Sequence, residues 1–423
     1  MADPRHCGWY LKRLNFFLNL IGNPEKKIKR FAHITGTSGK GSVCNMLTSI
    51  LMASNCKVGL LTSPHPSIIV ERWGINGRPM PKKEFAKVME KIKPKLNEYI
   101  RTTPYDMLSY GEMSTAIALY YFAMQKVDWA VLEVGCGGRY DSTNIIPKKE
   151  LAVITNIGLD HKGTIGATKN EIAYEKAGII KRGCVAFTGE SNSKILEIIA
   201  NECRRQKVKL SKINCSTKNY KIKKFDLDGM KFIYQNNEYF LPIMGEHQIK
   251  NAILSIEIAK SLKISENEIK QGLKNIKIPI CMEVVSKKPL IIFDGAHNKE
   301  KIKTTISTVN RINLAGNYMI NLIVGFSDNK DWFGMIRQLG ALNPKSIACT
   351  RFTNNPFRKT ANPKLIADQF KKILPKAEIQ IFLDPKKALN WSKKQNEGNG
   401  LLLTTGSIFL SGEIRNNYTE CRP

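Results

Sequence analysis

The sequence predicts an α/β protein with a doubly wound, mostly parallel sheet, followed by a second and smaller α/β domain. Two observations support this prediction. Short apolar runs alternate with helical stretches through both halves of the chain, and a glycine-rich turn follows one of the first apolar runs. Strands that alternate with helices form parallel sheets, because each helix crosses back over the sheet before the next strand. The chain has 423 residues, of which 42% are hydrophobic, enough for two or three domains.

The first half supplies the elements of the larger domain, which we place at residues 1–277. Strands are predicted at 31–35, 57–61, 129–134 and 151–155, and helices at 14–21, 40–54, 81–95, 112–125, 246–262 and 265–275. Residues 218–243 alternate with a period of two around Asp228-Gly229, which predicts a β-rich insertion.

A second α/β series begins near residue 278, where Pro279 interrupts the helical pattern. We place the smaller, Rossmann-like domain at residues 278–423, with strands at 289–293, 318–324, 344–349 and 400–404. Ligands of such sheets bind at the carboxyl ends of the strands, so polar motifs at those ends are candidate sites.

The net charge of +30 is large, but its distribution argues against nucleic acid as a partner. The basic residues are spread over many segments, do not alternate with aromatic residues and form no nucleic-acid-binding fingerprint. Two interpretations remain: a solvated lysine surface produced by compositional bias, or attraction of polyanionic substrates.

The cellular compartment follows from two absences in the sequence. No run approaches the roughly 18 apolar residues of a membrane span. The ten cysteines are scattered without a C-x-x-C pair or metal-ligand spacing, which indicates mostly small buried apolar residues. We expect a cytoplasmic protein that does not bind a membrane.

The strongest local motif is Gly36–Ser42 (GTSGKGS), between a predicted strand and a predicted helix. Glycines let backbone N–H groups close around phosphate oxygens, the helix N-terminus adds positive potential, and Lys40 adds a point charge. The spacing differs from the standard phosphate loop, because Ile34 replaces its first glycine and Gly41 precedes Ser42. A purely structural turn is the alternative, but the lysine and the serine favour phosphate binding.

Three side chains just past predicted strands are candidate metal ligands: Ser63, Glu133 and His161. Mg²⁺ takes oxygen ligands and keeps several waters, so Ser63 and Glu133 suit it. Glu133 has the alternative of a buried ion pair, and His161 that of a hydrogen-bonding loop residue.

The second half offers two polar turns after strands. In Asp294–Asn298 (DGAHN), Asp294 and His297 lie three residues apart and can face one ligand, although a turn closed by the aspartate is the alternative. Ser407, in Thr404–Ser407, follows a strand in the same way near the C-terminus.

These motifs together resemble the folylpolyglutamate synthase and dihydrofolate synthase family of the Mur ligase superfamily. The resemblance runs from about Leu11 to Arg415. Its elements occur in order: Ile21–Pro24, Gly36–Ser42, Thr62–His65, Glu71-Arg72, Ile75–Gly77, Leu132–Asp141, Thr143-Asn144, Thr155–His161, Glu175–Lys181, Gly245, His247-Gln248, Asn251-Ala252, Asp294–Asn298 and Thr405–Ser407.

The resemblance implies a P-loop-containing, Mur-ligase-like N-terminal domain and an ATP- and Mg²⁺-dependent ligase. ATP would phosphorylate the carboxylate of a folate-type acceptor, and the amine of L-glutamate would attack the acyl phosphate. Lys40 and the backbone of Gly39, Gly41 and Ser42 would hold phosphates.

Magnesium would lie between Ser63 and Glu133, and a second ion between Glu133 and His161. Lys176 would be carbamylated and help to hold the second ion, whereas without the family it looks like an ordinary surface lysine.

The remaining roles also follow from the resemblance. Asn251 and Asp294 would contact the adenine and ribose of ATP, and His297 and Ser407 would place the incoming amino acid. The residues expected at the acceptor are Tyr110, Glu112, Arg139, Tyr140, Asp141 and Ser142.

The chain departs from the family pattern at three positions. Cys281 replaces an arginine that contacts ATP in the family, so that this contact is missing or supplied elsewhere. Gly111 replaces an aromatic residue, and Pro66 stands where an apolar leucine is common. The alternatives are a ligase of the same superfamily acting on another carboxylate, a nucleic-acid-dependent ATPase, and a nucleotide binder without catalysis. We expect a monomer.

Overall fold

The computed structural model describes residues 7–159 and 165–420, which form two α/β units joined by an irregular connection over residues 275–282. The larger unit contains an eight-stranded sheet and a separate three-stranded sheet, and the smaller unit contains a six-stranded sheet. This architecture confirms the predicted fold class.

The eight-stranded sheet has a parallel centre. Its strands are β1 (Arg30–Thr35), β2 (Val58–Leu61), β3 (Trp73–Ile75), β4 (Arg78–Pro79), β5 (Trp129–Glu133), β6 (Leu151–Ile154), β7 (Val185–Thr188) and β8 (Leu210–Lys212). Their spatial order is β4-β3-β2-β5-β1-β6-β7-β8, and only β3 and β4 run antiparallel to their neighbours. The central strands are buried on both faces, as apolar runs between helices require.

The other elements of the larger unit cover this sheet or form the insertion. The helices are α1 (Cys7–Leu20), α2 (Lys40–Ala53), α3 (Lys82–Thr102), α4 (Tyr110–Met124), α5 (Lys169–Ala177), α6 (Ser193–Gln206), α7 (Glu246–Ser261) and α8 (Glu266–Lys274). The insertion is the antiparallel sheet of β9 (Tyr220–Asp226), β10 (Gly229–Tyr234) and β11 (Asn237–Leu241).

The predicted end of α3 at residue 95 is wrong. The helix continues through Pro94 to Thr102. Its residues Val88, Ile92 and Tyr99 are fully buried, so packing of this apolar face offsets the hydrogen bond that proline removes.

The smaller unit is a second sheet with helices on its faces. Its strands are β12 (Glu283–Lys287), β13 (Leu290–Phe293), β14 (Met319–Val324), β15 (Ser346–Cys349), β16 (Glu378–Ile381) and β17 (Gly400–Thr405), in the order β12-β13-β17-β14-β15-β16. Its helices are α9 (Lys299–Gly316), α10 (Trp332–Gly340), α11 (Pro363–Ile373), α12 (Pro385–Gln395) and α13 (Ile408–Glu420). The sequence did not predict β12 and β16, which are edge strands without a buried apolar run.

Two further expectations can be compared with the described part of the chain. The eight cysteines from Cys44 to Cys349 are free, four of them buried and four partly buried, which fits small apolar packing residues. None of the helices in the described part has the length and apolarity needed to cross a bilayer.

The candidate site residues follow the carboxyl ends of strands. In the larger unit the ends of β1, β2, β5 and β6 lie side by side, because these strands are parallel neighbours. In the smaller unit the ends of β13 and β17 are adjacent in the same way.

Candidate active site

The Gly36–Ser42 turn forms a closed loop between β1 and α2, as the motif predicted. Gly39 has a φ of +81°, and a Cβ atom there would lie 2.4 Å from Oδ1 of Asn251, so only glycine fits. The backbone N–H groups of Thr37 and Ser38 donate to Asn156, to its carbonyl and to Oδ1 respectively, each at 2.9 Å. The segment after β6 therefore braces the loop.

Two lysines bring positive charge to this loop. Lys40 Nζ donates to the Gly36 carbonyl oxygen at 3.0 Å, and Lys176 Nζ donates to the same oxygen at 2.9 Å. Lys176 is only 3% exposed, so the interpretation as a surface lysine is wrong. The two ammonium groups come from different helices, α2 and α5, but converge on one atom, which makes the loop an attractive site for an anion.

Glu133, at the end of β5, is buried beside the loop. Its Oε2 accepts a hydrogen bond from the backbone N–H of Ser63 at 3.0 Å. Burial raises the pKa of this carboxyl group, while the positive charge of Lys40 and the hydrogen bond from Ser63 act in the opposite direction. A cation beside Glu133 would remove the cost of its buried charge.

The donors at this point fit Mg²⁺ better than a softer metal. Ser63 and Glu133 offer oxygen atoms, and Mg²⁺ is commonly held by one or two carboxylates together with substrate phosphates and water. Within residues 7–159 and 165–420 no group of three His, Cys, Asp or Glu side chains forms a metal cluster. His161 lies outside the described residues.

Asp294, at the end of β13, is buried and accepts three hydrogen bonds. Its carboxylate accepts from Thr305 Oγ1 at 2.6 Å, from the Met282 N–H at 3.2 Å and from the Ala296 N–H at 3.3 Å. The last contact closes the turn, as the structural alternative for Asp294 predicted. Asp294 therefore stabilises the turn whether or not it also binds a ligand. Burial raises its pKa, and the hydrogen bond from Thr305 lowers it.

His297 has an assignable tautomer. Its Nδ1 lies 2.8 Å from the Gly295 carbonyl oxygen, which can only accept, so Nδ1 carries the proton. Its Nε2 then accepts from Lys301 Nζ at 3.3 Å. Ser407, after β17, is buried at the adjacent strand end.

A chain of amide contacts connects the phosphate loop with Cys281. Asn251, against Gly39, donates from Nδ2 to Gln248 Oε1 at 2.9 Å. Gln248 Nε2 in turn donates to Cys281 Sγ at 3.0 Å. The residue at the position of the expected arginine is therefore part of the site's scaffold.

Of the six residues expected at the acceptor, three lie at a surface. The exposed fractions of Tyr110 and Tyr140 are 51% and 40%. The guanidinium carbon of Arg72 lies 5.0 Å from the centre of the Tyr110 ring. Ser142 is partly buried, with its Oγ 2.7 Å from Thr115 Oγ1. These groups offer flat rings and hydroxyls.

The side chains of Glu112, Arg139 and Asp141 are instead used within the protein. Glu112 forms a buried ion pair with Arg13, at 2.5 and 2.9 Å. Arg139 donates to Glu202 at 3.0 Å. Both charges therefore have partners in the scaffold, and contact of Glu112 and Arg139 with the acceptor stays a prediction.

Asp141 holds its own loop in shape. One carboxylate oxygen accepts from the Cys136 N–H at 2.9 Å, and the other accepts from the Thr143 N–H at 3.0 Å. Asp141 therefore positions the Gly135–Ser142 segment, which carries Tyr140.

Sequence reasoning missed two charged residues near the candidate site, Lys301 and Arg72. Lys301 lies on the first turn of α9, four residues after His297, and its place directly after the DGAHN motif was the available signal. Arg72 was part of a recognised motif but received no role; it donates to His65 Nδ1 at 3.2 Å and stacks on Tyr110.

The fold, the phosphate loop and the second α/β unit define a ligase of the Mur ligase class. Residues 34–259 match the Mur ligase middle domain, and residues 275–417 match the C-terminal domain of dihydrofolate synthetase. The dihydrofolate synthase/folylpolyglutamate synthase of Bacillus subtilis is 31% identical over 418 residues, covering 96% of this chain and 94% of that protein. The chain belongs to the dihydrofolate synthase/folylpolyglutamate synthase family.

Solved structures agree with this membership. The folylpolyglutamate synthase of Thermotoga maritima is similar with a TM-score of 0.84 and 30% identity, covering 97% of this chain and 94% of that one. The Mycobacterium tuberculosis folylpolyglutamate synthase, in complex with ADP and AMPPCP, has a TM-score of 0.84 and 25% identity, covering 98% and 96%.

Proposed function

We propose that this protein uses ATP to join L-glutamate to a folate, extending tetrahydrofolate and also converting dihydropteroate to dihydrofolate. The observation that carries the proposal is the approach of the two units beside the phosphate loop, a region that we call the cleft. A Cβ atom on Gly158 of the larger unit would lie 3.1 Å from Thr37 Cγ2 in the loop and 3.5 Å from Glu300 Oε2, just past the Asp294–Asn298 turn of the smaller unit. The family relatives, named for both activities, support the choice of a folate acceptor.

ATP would bind with its phosphates on the loop. Lys40 and the backbone at Gly39, Gly41 and Ser42 would surround the phosphates, and the α2 N-terminus would add positive potential. Asn251 packs directly on Gly39 and so defines the wall on which the adenine would lie. Asp294 supplies the acceptor oxygens expected for the ribose.

The reaction has two steps. An oxygen of the acceptor carboxylate forms a bond to the γ-phosphorus, and ADP leaves with the bridging oxygen. The amine of glutamate then attacks the carbonyl carbon of the acyl phosphate, loses a proton and forms the amide, while inorganic phosphate leaves. The protein's residues mainly position these groups and stabilise charge.

Magnesium would be held by Ser63 and Glu133 and would neutralise charge on the ATP phosphates. A second ion would involve Glu133 and His161. We further propose that Lys176 is carbamylated. A carbamate keeps one N–H on Nζ, so that the hydrogen bond of Lys176 to the Gly36 carbonyl can persist after modification.

The acceptor and glutamate would bind on opposite sides of the cleft. Tyr110 and Tyr140 offer rings for the flat acceptor, with Ser142 beside them. Ser407 and the His297 turn would receive glutamate. We also propose a monomer as the active unit.

The proposal is tested by measuring phosphate release from ATP with glutamate and one of three acceptors: tetrahydrofolate, dihydropteroate or a cell-wall nucleotide precursor. We expect turnover with both folates and none with the cell-wall precursor. Turnover only with the third acceptor, or ATP hydrolysis that depends on nucleic acid, would contradict it.

A further inference from the structure

Lys301 places a positive charge from the smaller unit inside the catalytic cleft. It lies on the first turn of α9, where its backbone N–H donates to the capping Oδ1 of Asn298 at 2.9 Å. Its Nζ donates to His297 Nε2 at 3.3 Å. The proton assignment at His297 therefore makes this histidine an acceptor that orients the lysine.

The first turn of α9 lies against the phosphate loop of the larger unit. A Cβ atom added to Gly158 would lie 3.1 Å from Thr37 Cγ2 and 3.5 Å from Glu300 Oε2. Thr37 belongs to the phosphate loop, and Glu300 is the residue before Lys301. The two units thus approach each other within a side chain's length at this point.

The charge of Lys301 reaches groups on both sides of the cleft. It acts on Glu133 and His247 of the larger unit, and on Cys281 and Asp294 of the smaller one. Glu133 and Asp294 are both buried, so the medium between them and Lys301 screens charge weakly. Lys301 and Lys40 thus bring positive charge from the two units to the same carboxyl group, that of Glu133 beside the phosphate loop.

We propose that Lys301 is a catalytic residue that contacts the phosphoryl group during its transfer from ATP to the acceptor carboxylate. This inference rests on the proposed function. In that step the carboxylate oxygen bonds to the γ-phosphorus, and the bond from phosphorus to the β,γ-bridging oxygen breaks. Lys301 stabilises negative charge on the peripheral phosphoryl oxygens without exchanging a proton, and His297 is its positioning residue.

The location of Lys301 also accounts for Cys281. A thiol at this position offers no cation for ATP, but Lys301 acts on the same space from α9. The nucleotide contact that the sequence suggested to be missing is supplied by another element of the same unit.

The test compares Lys301→Met and Lys301→Arg with the control Lys303→Met, which removes an exposed lysine from the same helix. With Mg²⁺ present, we expect Lys301→Met to lower kcat/KM for ATP about 100-fold. Its affinity for the β,γ-methylene analogue of ATP should fall at least tenfold, while its affinity for ADP should change by less than threefold. Lys301→Arg should keep most of the activity, and Lys303→Met all of it.

Equal weakening of the ADP and triphosphate complexes would overturn the inference, because a structural lysine would not distinguish them. Unchanged kinetics and binding in Lys301→Met would overturn it as well. The binding measurements need no acceptor. An enzyme inactive with folates would contradict the proposed function and still leave the role of Lys301 to be decided by nucleotide affinity.

Discussion

Lys40 and Lys176 donate to one and the same acceptor, the carbonyl oxygen of Gly36, although they lie on different helices. Two ammonium groups this close repel each other, and negative charge near them lowers that repulsion. The phosphates of ATP would bring such charge to the loop, and the carbamylation proposed for Lys176 would remove one of the two positive charges. The shared acceptor is therefore the point at which the proposed modification and nucleotide binding would affect each other.

The first prediction concerns Lys176→Ala. We expect activity to fall at least 100-fold, because both the buried charge and the contact with Gly36 are lost. Millimolar acetate or formate should restore part of it by replacing the carbamate. The control is Lys169→Ala, on the exposed surface of the same helix. Full activity of Lys176→Ala would contradict a role in the reaction. A loss of activity that acetate and formate do not restore would contradict carbamylation and leave Lys176 as a positive charge only.

Gly39→Ala tests the closure of the phosphate loop. The new Cβ would lie 2.4 Å from Asn251 Oδ1, so we expect Asn251 to move and KM for ATP to rise at least tenfold. Gly183→Ala is a matched control, since its φ of +89° is equally strained but no atom lies within 4 Å. Both should lose about 1 kcal/mol of unfolding free energy, and only the first should lose nucleotide affinity. Equal kinetics in both would show that the contact with Asn251 is unimportant.

The phosphate loop was predictable because its residues are adjacent in sequence. The central strands were predictable for a similar reason, since each is a local apolar run. Lys149 shows the limit: it lies in the polar stretch Pro147–Glu150, typical of a surface, yet it is 3% exposed. Its Nζ lies 2.7 Å from His33 Nδ1, a partner 116 positions away.

The residues expected at the acceptor also show that a partner distant in sequence cannot be read from a local motif. Glu112 lies in a motif, but its partner Arg13 is 99 positions away and becomes visible only when α1 packs on α4. A motif indicates that a residue is used, while the packing decides whether it faces a ligand or the scaffold. Lys301 and His297, by contrast, are only four residues apart on either side of the Asn298 N-cap of α9, a pair that their closeness in sequence could have revealed.

Glu133→Gln should raise stability and remove activity. Burial raises the pKa of Glu133 above its usual value of 4.5, so the folded state binds this proton more tightly than the unfolded state. Stability from this group is present at low pH and is lost as pH rises through the raised pKa, so the ionised carboxylate is destabilising at neutral pH.

Glutamine removes that charge and can still accept the Ser63 hydrogen bond. We expect the midpoint of thermal unfolding, measured without nucleotide, to rise by about 2–4 °C. Ligase activity should fall at least 100-fold. Glu238→Gln, at an exposed position of β11, should change neither. A lower melting temperature for Glu133→Gln would show that the ionised carboxylate is already compensated within the protein.

We expect the protein to become more stable as the pH rises, because Lys181 is buried. Burial lowers the pKa of this lysine to about 8, so between pH 8 and 10.5 the unfolded state binds more protons than the folded state. The free energy of unfolding should therefore rise with pH over this window, by up to about 1.4 kcal/mol per pH unit. Lys181→Met should reduce that slope, and Lys148→Met, an exposed control, should not. Urea titrations at pH 7, 8, 9 and 10 measure the free energy of unfolding at each pH. An equal rise of this free energy with pH in wild type and Lys181→Met would refute the lowered pKa of Lys181.

The ion pair of Arg13 and Glu112 should contribute to stability and not to acceptor binding. Both side chains are almost completely buried, and removing either partner leaves an uncompensated charge. We expect Arg13→Met and Glu112→Gln each to lower the free energy of unfolding, by about 3 kcal/mol for the former. The double variant should lose less than the sum of the two.

The exposed pair of Arg204 and Glu197 is the matched control, because disrupting a pair in water changes stability by less than about 1 kcal/mol. KM for the folate acceptor should stay within threefold of wild type in all these variants, provided that it is measured below their unfolding temperatures. The result that would restore Glu112 to the acceptor site is a KM raised tenfold or more in Glu112→Gln without a loss of stability. The buried contact with α1 makes the opposite pattern the expected one, since a carboxylate already held by a guanidinium has little capacity left to bind a substrate.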